Sequence, residues 1–137
     1  MSFVLDASVT LAWCFKDESD VRAAKALGHL SSTTGVVPSI WGLEVANALL
    51  VAERRGRVSA AEVANVVDLL RELRIEIDPT PRETVFGPVL SLARAQKLSA
   101  YDSAYLELAL RVGLPLATLD VRLAEAATRL GVGLFHG

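Results

Sequence analysis

The sequence predicts a three-layer α/β/α domain built on a central parallel sheet of four to five strands. Short apolar runs alternate with longer segments of helical periodicity, a pattern typical of parallel sheets covered by helices. The chain is 52% hydrophobic and 22% charged, which favours a well-buried sheet and argues against disorder. Its 137 residues are typical of one domain, so we expect residues 1–137 to form a single unit.

The first half of the chain contains two predicted strands followed by helices. Apolar runs at 2–5 and 36–37 predict buried strands, and Pro38 ends the second of them. Helices are predicted at residues 7–15, 20–30 and 39–55. Gly56 stands where a glycine often ends a helix, so the third helix should stop there.

The second half repeats this alternation. Ser59 and Glu62 have the spacing of a capping box, which predicts a helix that forms a hairpin over 39–73 with the preceding one. Strands are predicted at residues 75–77, 116–119 and 132–135, the last at the edge of the sheet. Helices are predicted from Pro81 to about Lys97, from Ser99 to Gly113, and from Asp120 to near Gly131.

Bulk properties restrict the function only weakly. The net charge of −2 neither indicates nor excludes nucleic-acid binding. Cys14 is the only cysteine, so no internal disulfide can form, and we expect a cytoplasmic protein without a signal peptide. No apolar run reaches membrane-spanning length, and no glycine-rich phosphate-binding loop is present.

Glu44 is the most informative single residue. It is the only charged residue between positions 35 and 52, within an otherwise apolar helix. Burying a lone carboxylate is costly unless a partner or a cation compensates it. It lies too far into the helix to cap it, which leaves a buried ion pair with an arginine as the alternative to a cation site.

Three aspartates are expected near Glu44. Asp6 and Asp120 each follow a predicted strand directly, and Asp102 lies in the first turn of a helix. Because ligands bind beyond the carboxyl ends of parallel strands, these acids should face the same edge of the sheet. Taken singly, Asp6 and Asp120 could be helix N-caps, and Asp102 could form a capping box with Ser99 at the start of its helix. Four coincidences are a weaker explanation than one cluster.

An all-carboxylate set suits Mg²⁺ or Mn²⁺ better than zinc or copper. A bound cation would neutralise the repulsion between the acids, lower the pKa of a bound water and offset charge on a phosphoryl oxygen. Hydrolysis of a phosphodiester is the natural reaction, with one carboxylate as a general base that the sequence does not identify. His29 and His136 have no ligand-spaced partners, and Cys14 lies between Trp13 and Phe15, where packing is its expected role.

Four segments resemble a known family. They are Val-Leu-Asp-Ala-Ser at 4–8, Pro-Ser-Ile-Trp-Gly-Leu-Glu-Val-Ala-Asn at 38–47, Leu-Ser-Ala-Tyr-Asp-Ser-Ala-Tyr at 98–105, and Leu-Ala-Thr-Leu-Asp at 116–120. In this order, over nearly the whole chain, they resemble the PIN-domain nucleases, particularly the VapC-type toxins of bacterial and archaeal toxin–antitoxin pairs.

The resemblance implies a metal-binding and catalytic quartet at Asp6, Glu44, Asp102 and Asp120. It implies supporting roles for Ser8, for Asn47 as an amide that orients the glutamate, and for Thr118. It further implies a Mg²⁺- or Mn²⁺-dependent endoribonuclease that leaves a 5′-phosphate and a 3′-hydroxyl. Transfer or ribosomal RNA as substrate, a homodimer and inhibition by a small VapB-type antitoxin are also implied.

Two surfaces stay open between functional and structural interpretations. The hairpin 39–73 is a candidate antitoxin clamp, to which Val63, Val67 and Leu70 contribute either contact surface or core. The arginines at its tip, which are Arg54, Arg55 and Arg57, either contact RNA phosphates or form a solvated turn. Tyr101 and Tyr105 either stack a base or, as we expect, pack at the start of their helix.

Three other functions are open. A phosphoacceptor-type signalling domain would need a lysine near the last strands, and the only lysines are Lys16, Lys25 and Lys97. A haloacid-dehalogenase-like phosphatase would need a second acid two residues after Asp6, where this chain has a serine. A non-catalytic PIN domain that serves as a protein scaffold is the third.

Overall fold

A four-stranded parallel sheet with flanking helices organises the computed structural model, which describes residues 1–136. The strands are β1 (Phe3–Leu5), β2 (Gly35–Pro38), β3 (Ile75–Asp78) and β4 (Leu116–Ala117). Their order across the sheet is β3-β2-β1-β4, and all three pairings are parallel. The predicted α/β fold class is therefore confirmed, with the lower of the two predicted strand numbers in the described part of the chain.

Helices connect the strands. They are α1 (Ala7–Cys14), α2 (Val21–His29), α3 (Ile40–Arg54), α4 (Ala60–Glu72), α5 (Arg82–Thr84), α6 (Leu90–Gln96), α7 (Ala100–Val112) and α8 (Val121–Arg129). A short 3₁₀ turn, Lys16–Glu18, lies between α1 and α2. The helices of the first half lie close to their predicted bounds.

The core is centred on β1. Its three residues, Phe3, Val4 and Leu5, are completely buried, as expected for a parallel strand covered on both faces. Val4 is in register with Val36 of β2 on one side and with Leu116 of β4 on the other. The first strand of the chain therefore occupies the middle of the sheet, and the residue that follows it emerges at the centre of the carboxyl edge.

The hairpin of α3 and α4 has the predicted ends. Gly56 has φ of +73°, its N–H donates to the Glu53 carbonyl, and the Arg57 N–H donates to the Ala52 carbonyl, which is the Schellman arrangement. Both hydrogen bonds of the capping box between Ser59 and Glu62 are present at the start of α4. Local sequence signals are thus sufficient to terminate one helix and begin the next.

The predicted helix from Pro81 to Lys97 is not continuous. It is divided into α5, a π-helical turn at Val85–Val89, and α6. Pro88 lies inside the π turn, where it lacks the N–H that an α-helix would require and its ring excludes the regular backbone path. Pro88 lies too far from the start of the helix to be tolerated there, so the prediction of one continuous helix was wrong.

The last two predicted strands are also shorter. β4 contains only Leu116 and Ala117, because the N–H groups of Leu119 and Asp120, two and three residues after its end, donate to side-chain hydroxyls instead of a strand. The predicted strand 132–135 is reduced to a single parallel bridge between Leu116 and Leu134. A two-residue strand offers its edge neighbour too few backbone groups for a longer ladder.

Gly56→Ala should lower the free energy of unfolding by about 1 kcal/mol, because an alanine at φ of +73° places its Cβ against the following carbonyl. Gly28→Ala is the matched control: Gly28 is helical, and a Cβ there meets no atom within 4 Å, so stability should rise by up to about 1 kcal/mol. Urea denaturation of both variants measures these changes. Equal effects of the two substitutions would contradict the assignment of Gly56.

Candidate active site

Asp6 lies at the carboxyl end of β1 and is only 4% exposed. It occupies the N-cap position of α1, yet its side chain accepts no capping hydrogen bond. Instead its Oδ2 accepts a hydrogen bond of 2.6 Å from the Ser8 hydroxyl and one of 2.7 Å from the Thr118 hydroxyl. The N-cap alternative therefore does not account for this carboxylate.

The two hydroxyls join Asp6 to the segment that carries Asp120. Ser8 Oγ accepts the Leu119 N–H at 2.9 Å, and Thr118 Oγ1 accepts the Asp120 N–H at 3.0 Å. Each hydroxyl thus donates to the buried carboxylate and accepts from the backbone after β4. Ser8 and Thr118, which the resemblance places near the site, fix the orientation of Asp6 and the path of the chain into α8.

Glu44 is half-buried on α3, and its Oε1 accepts a hydrogen bond of 2.6 Å from the Tyr105 hydroxyl. Among the described residues it forms no salt bridge, so the ion-pair alternative does not account for it. Tyr105 itself is completely buried, in agreement with the expectation that it packs. A buried phenol that donates to a carboxylate is a strong, charge-assisted contact that holds the glutamate in place.

The hydrogen bond from Tyr105 to Glu44 is a role that sequence reasoning did not assign to this tyrosine. Tyr105 lies one helical turn after Asp102 on α7, and this spacing is the signal that could have indicated a shared face. Asn47, to which the resemblance gives the role of orienting Glu44, is exposed, and within residues 1–136 no hydrogen bond joins the two side chains. The role of Asn47 remains a prediction.

Asp102 and Asp120 stand at the starts of neighbouring helices. The Asp102 N–H donates to Ser99 Oγ, so the helix α7 is capped by the serine and the carboxylate is not needed for this bond. Asp120 does cap α8, because its Oδ1 accepts the Leu123 N–H at 3.0 Å. The capping hydrogen bond occupies one carboxylate oxygen of Asp120, so the other oxygen can still contact a cation.

The acids lie close enough that their charges affect the ionisation of Asp6, Glu44 and Asp102. Burial is the main cause that raises the pKa of Asp6, and the charge of Asp120 raises it further. Burial, and then the charges of Asp6 and Asp102, raise the pKa of Glu44, although its bond from the tyrosine opposes this. Burial and the charges of Asp6 and Asp120 raise the pKa of Asp102 to about 6. The tertiary fold therefore brings all four predicted acids into one negatively charged region.

The donor set of this region fits a hard divalent cation. In the part of the chain that the structure describes, no three acid, imidazole or thiol side chains converge closely enough to hold one ion directly. Mg²⁺ usually keeps several waters and takes only one or two protein carboxylates, so it does not need the three or four converging side chains that zinc requires. Neutralisation of mutually repelling carboxylates would favour binding.

One basic residue approaches the acids. Arg122, in the first turn of α8, is exposed, and its positive charge lowers the pKa of Asp102 against the larger effect of burial. Its only sequence signal is that it follows Asp120 by two residues, and this did not distinguish it from the other arginines. Its location at the rim suits a contact with a substrate phosphate.

Arg57, one of the three arginines for which RNA contact and a solvated turn were both open, forms ion pairs with other residues of the protein. Its guanidinium forms ion pairs with Asp17 at 2.9 Å and Glu18 at 3.1 Å, and it lies 4.6 Å from the centre of the Phe15 ring. These contacts attach the hairpin turn to the segment after α1. Their observed role is therefore structural, while an additional RNA contact stays a prediction.

Arg54 and Arg55 are exposed at the carboxyl end of α3. They follow Glu44 by ten and eleven residues, which corresponds to about 15 Å along the helix axis. The acids and this basic pair therefore lie at opposite ends of one helix. RNA would have to extend well beyond the reacting phosphate to contact both.

The PIN domain family matches residues 3–129. The chain belongs to this family. It is 30% identical over 125 residues to Ribonuclease VapC3 of Pyrobaculum aerophilum, an alignment that covers 91% of this chain and 94% of that protein. The predicted resemblance to PIN domains of the VapC type is thus confirmed.

Two solved structures have the same fold. The Pyrobaculum aerophilum protein PAE2754 superposes with a TM-score of 0.71 at 23% identity, covering 92% of this chain and 84% of the other. The Mycobacterium tuberculosis toxin VapC20, described as cleaving the sarcin-ricin loop, superposes with a TM-score of 0.63 at 14% identity, covering 92% of this chain and 95% of the other.

Among residues 1–136, no helix of this PIN domain is both long enough and apolar enough to cross a membrane.

Without divalent ions, Asp102→Asn should raise the Tm at pH 7.5 and change it little at pH 4. The pKa of Asp102 is raised to about 6 in the folded protein, so the native state retains a proton that the unfolded chain loses near pH 4. The contribution of this residue to stability therefore falls as pH rises from about 4 to above 6, and asparagine removes that loss.

Thermal denaturation in chelator at the two pH values measures this effect. Asp68→Asn, which changes an exposed acid on α4, is the control and should show no such pH-dependent gain. Identical Tm values for wild type and Asp102→Asn at pH 7.5 would contradict the repulsive environment of Asp102.

Proposed function

We propose that this PIN domain is a Mg²⁺- or Mn²⁺-dependent endoribonuclease and the toxin of a toxin–antitoxin pair. The observation that carries the proposal is the convergence of Asp6, Glu44, Asp102 and Asp120 at one edge of the sheet, with raised pKa values for the first three. The similarity to Ribonuclease VapC3 over most of both chains supports RNA as the substrate class.

The chain's own groups prepare this site for hydrolysis. Ser8 and Thr118 hold the buried Asp6 carboxylate, and Tyr105 holds Glu44, so these acids need little reorganisation when substrate binds. A divalent cation bound here would polarise a phosphoryl oxygen and lower the pKa of a bound water. Attack of water on phosphorus breaks the bond to the 3′-oxygen, which leaves a 5′-phosphate and a 3′-hydroxyl.

The substrate is an RNA that exposes an accessible phosphodiester, with ribosomal or transfer RNA as the proposed classes. The sarcin-ricin loop, the target in the description of VapC20, is a ribosomal RNA element and agrees with this class. Arg122 at the rim is suited to a phosphate near the reacting one, and Arg54 and Arg55 to more distant phosphates. The same proposal includes a cytoplasmic homodimer.

An antitoxin would bind along the inner side of the hairpin. Two adjoining grooves, of about 590 and 420 Å³, lie between α4 and the helices α1 and α2, and both are lined by Trp13, Cys14 and Val66. Val63 and Leu70 are partly buried against the core and also line one groove each. An apolar segment of a small antitoxin would cover this surface together with Leu69, which is 64% exposed.

Asp6→Asn should reduce metal-dependent cleavage by at least about 100-fold, because it removes the charge of the most buried acid at nearly constant shape. The measurement is cleavage of a defined panel of transfer and ribosomal RNAs with Mn²⁺, Mg²⁺ or chelator. Asp68→Asn should retain wild-type activity, and circular dichroism should show that both variants are folded. Full activity of Asp6→Asn, or cleavage in chelator, would exclude the proposed role of the quartet.

Replacing both Arg54 and Arg55 with alanine should weaken RNA binding. It should also reduce the slope of log K against log salt by about 1.4, if each arginine neutralises one phosphate of a single strand. Binding is measured with the Asp6→Asn variant so that the RNA stays intact, and Arg71→Ala on α4 serves as the control. Unchanged affinity at every salt concentration would remove this pair from the RNA-binding surface.

A further inference from the structure

An apolar groove lies beside the four acids. It has a volume of about 350 Å³ and lies between the start of α3 and the first turn of α7, with the end of β2 beneath it. Pro38, Ile40, Leu43, Thr80 and Tyr101 are among its lining residues. Its volume is at the lower end of the roughly 300–1,000 Å³ typical of small-ligand sites, which suits a single small aromatic group.

Two side chains of this groove are unusually exposed for their type. Leu43 is 70% exposed and Tyr101 is 60% exposed, so the expectation that Tyr101 packs at the helix start is wrong. Each directly precedes a candidate catalytic acid, Leu43 before Glu44 and Tyr101 before Asp102. Because consecutive Cα atoms are about 3.8 Å apart, these two lining residues place the groove beside the acidic region.

The Thr80 hydroxyl, which lines the groove, is already hydrogen-bonded within the protein. Thr80 Oγ1 accepts the Ser39 N–H at 3.1 Å and donates to the Asp78 carbonyl. The Asp78 carboxylate accepts two hydrogen bonds from Arg111 of α7, at 3.1 and 2.9 Å. A ligand would therefore meet a mainly apolar surface with one aromatic face.

We propose that this groove is a nucleobase subsite, which binds one unstacked base of single-stranded RNA next to the phosphate that faces the acids. The inference rests on the proposed ribonuclease function and specifies its substrate as unpaired RNA. The base stacks on the Tyr101 ring, and Leu43 contacts its edge. Aromatic side chains hold the splayed bases of RNA loops in this way, and stacking requires no particular base.

A base is the occupant that the surroundings favour. The groove borders the acids where a phosphate would bind with its cation, and an adjacent nucleotide of the same strand necessarily lies within a few ångströms of that phosphate. The Thr80 hydroxyl is already committed, so stacking on the Tyr101 ring is the main contact with the base. Stacking requires an unpaired base and tolerates any of the four.

The test measures binding of a short fluorescent single-stranded RNA to the Asp6→Asn protein, in which the RNA is not cut. Tyr101→Ala should weaken binding by roughly 5- to 100-fold, the equivalent of the stacking free energy of one base. Tyr101→Phe retains the ring and should bind within about twofold of the parent. Phe86→Ala is the matched control, since Phe86 is 69% exposed but does not line the groove.

A second arm scans the RNA with single abasic nucleotides. At one position, the loss of the base should abolish the difference between Tyr101→Ala and its parent, because the ring then has no partner. In wild-type background, Tyr101→Ala should raise KM for an unpaired substrate, and Phe86→Ala should not.

Three results would overturn the subsite. They are equal RNA binding by Tyr101→Ala and its parent, an undiminished Tyr101→Ala effect at every abasic position, and conversion of a dimer to a monomer by Tyr101→Ala in sedimentation. The last would make the groove an interface between two copies of the chain. Metal-dependent cleavage by wild type alongside any of these results leaves the ribonuclease intact, whereas the absence of such cleavage refutes the ribonuclease independently of Tyr101.

Discussion

The site depends on the pair of hydroxyl hydrogen bonds that Asp6 accepts from Ser8 and Thr118. A carboxylate this deeply buried at the end of the central strand would be strongly destabilising without them. The same hydroxyls accept the N–H groups of Leu119 and Asp120, which ends β4 and directs the chain into α8. One small network therefore positions two of the four acids and joins the first strand of the chain to the last.

The other two acids depend on α7. This helix carries Asp102 in its first turn and, one turn later, Tyr105, which donates to Glu44 across the space between α7 and α3. Burial and the neighbouring carboxylate charges raise the pKa values of Asp6, Glu44 and Asp102, and a cation bound in this region would offset that repulsion. Stability and proposed function thus have opposite requirements here, because the charges that would bind a metal destabilise the protein without one.

The fold separates this chemistry from the surface suited to a protein partner. The acids and the groove of Tyr101 lie at the carboxyl edge of the sheet, while the turn of the hairpin lies at the other end of α3. Arg57 holds that turn against Asp17 and Glu18, so the grooves lined by Trp13 and Val66 have a fixed outer wall. An antitoxin segment seated there would not need to enter the catalytic region to be bound.

The sequence by itself determined the fold class, the alternation of strands and helices in the first half of the chain, the ends of the hairpin, and the four acids that the fold brings together. These features follow from apolar periodicity, capping residues and strand ends, which act within a few residues of one another. Only the tertiary structure decided the partners of those acids: Thr118 lies 112 residues from Asp6, and Tyr105 lies 61 residues from Glu44. It also decided that Tyr101 is exposed and that Arg57 is held by internal ion pairs. Such contacts depend on how distant elements pack, which no local pattern encodes.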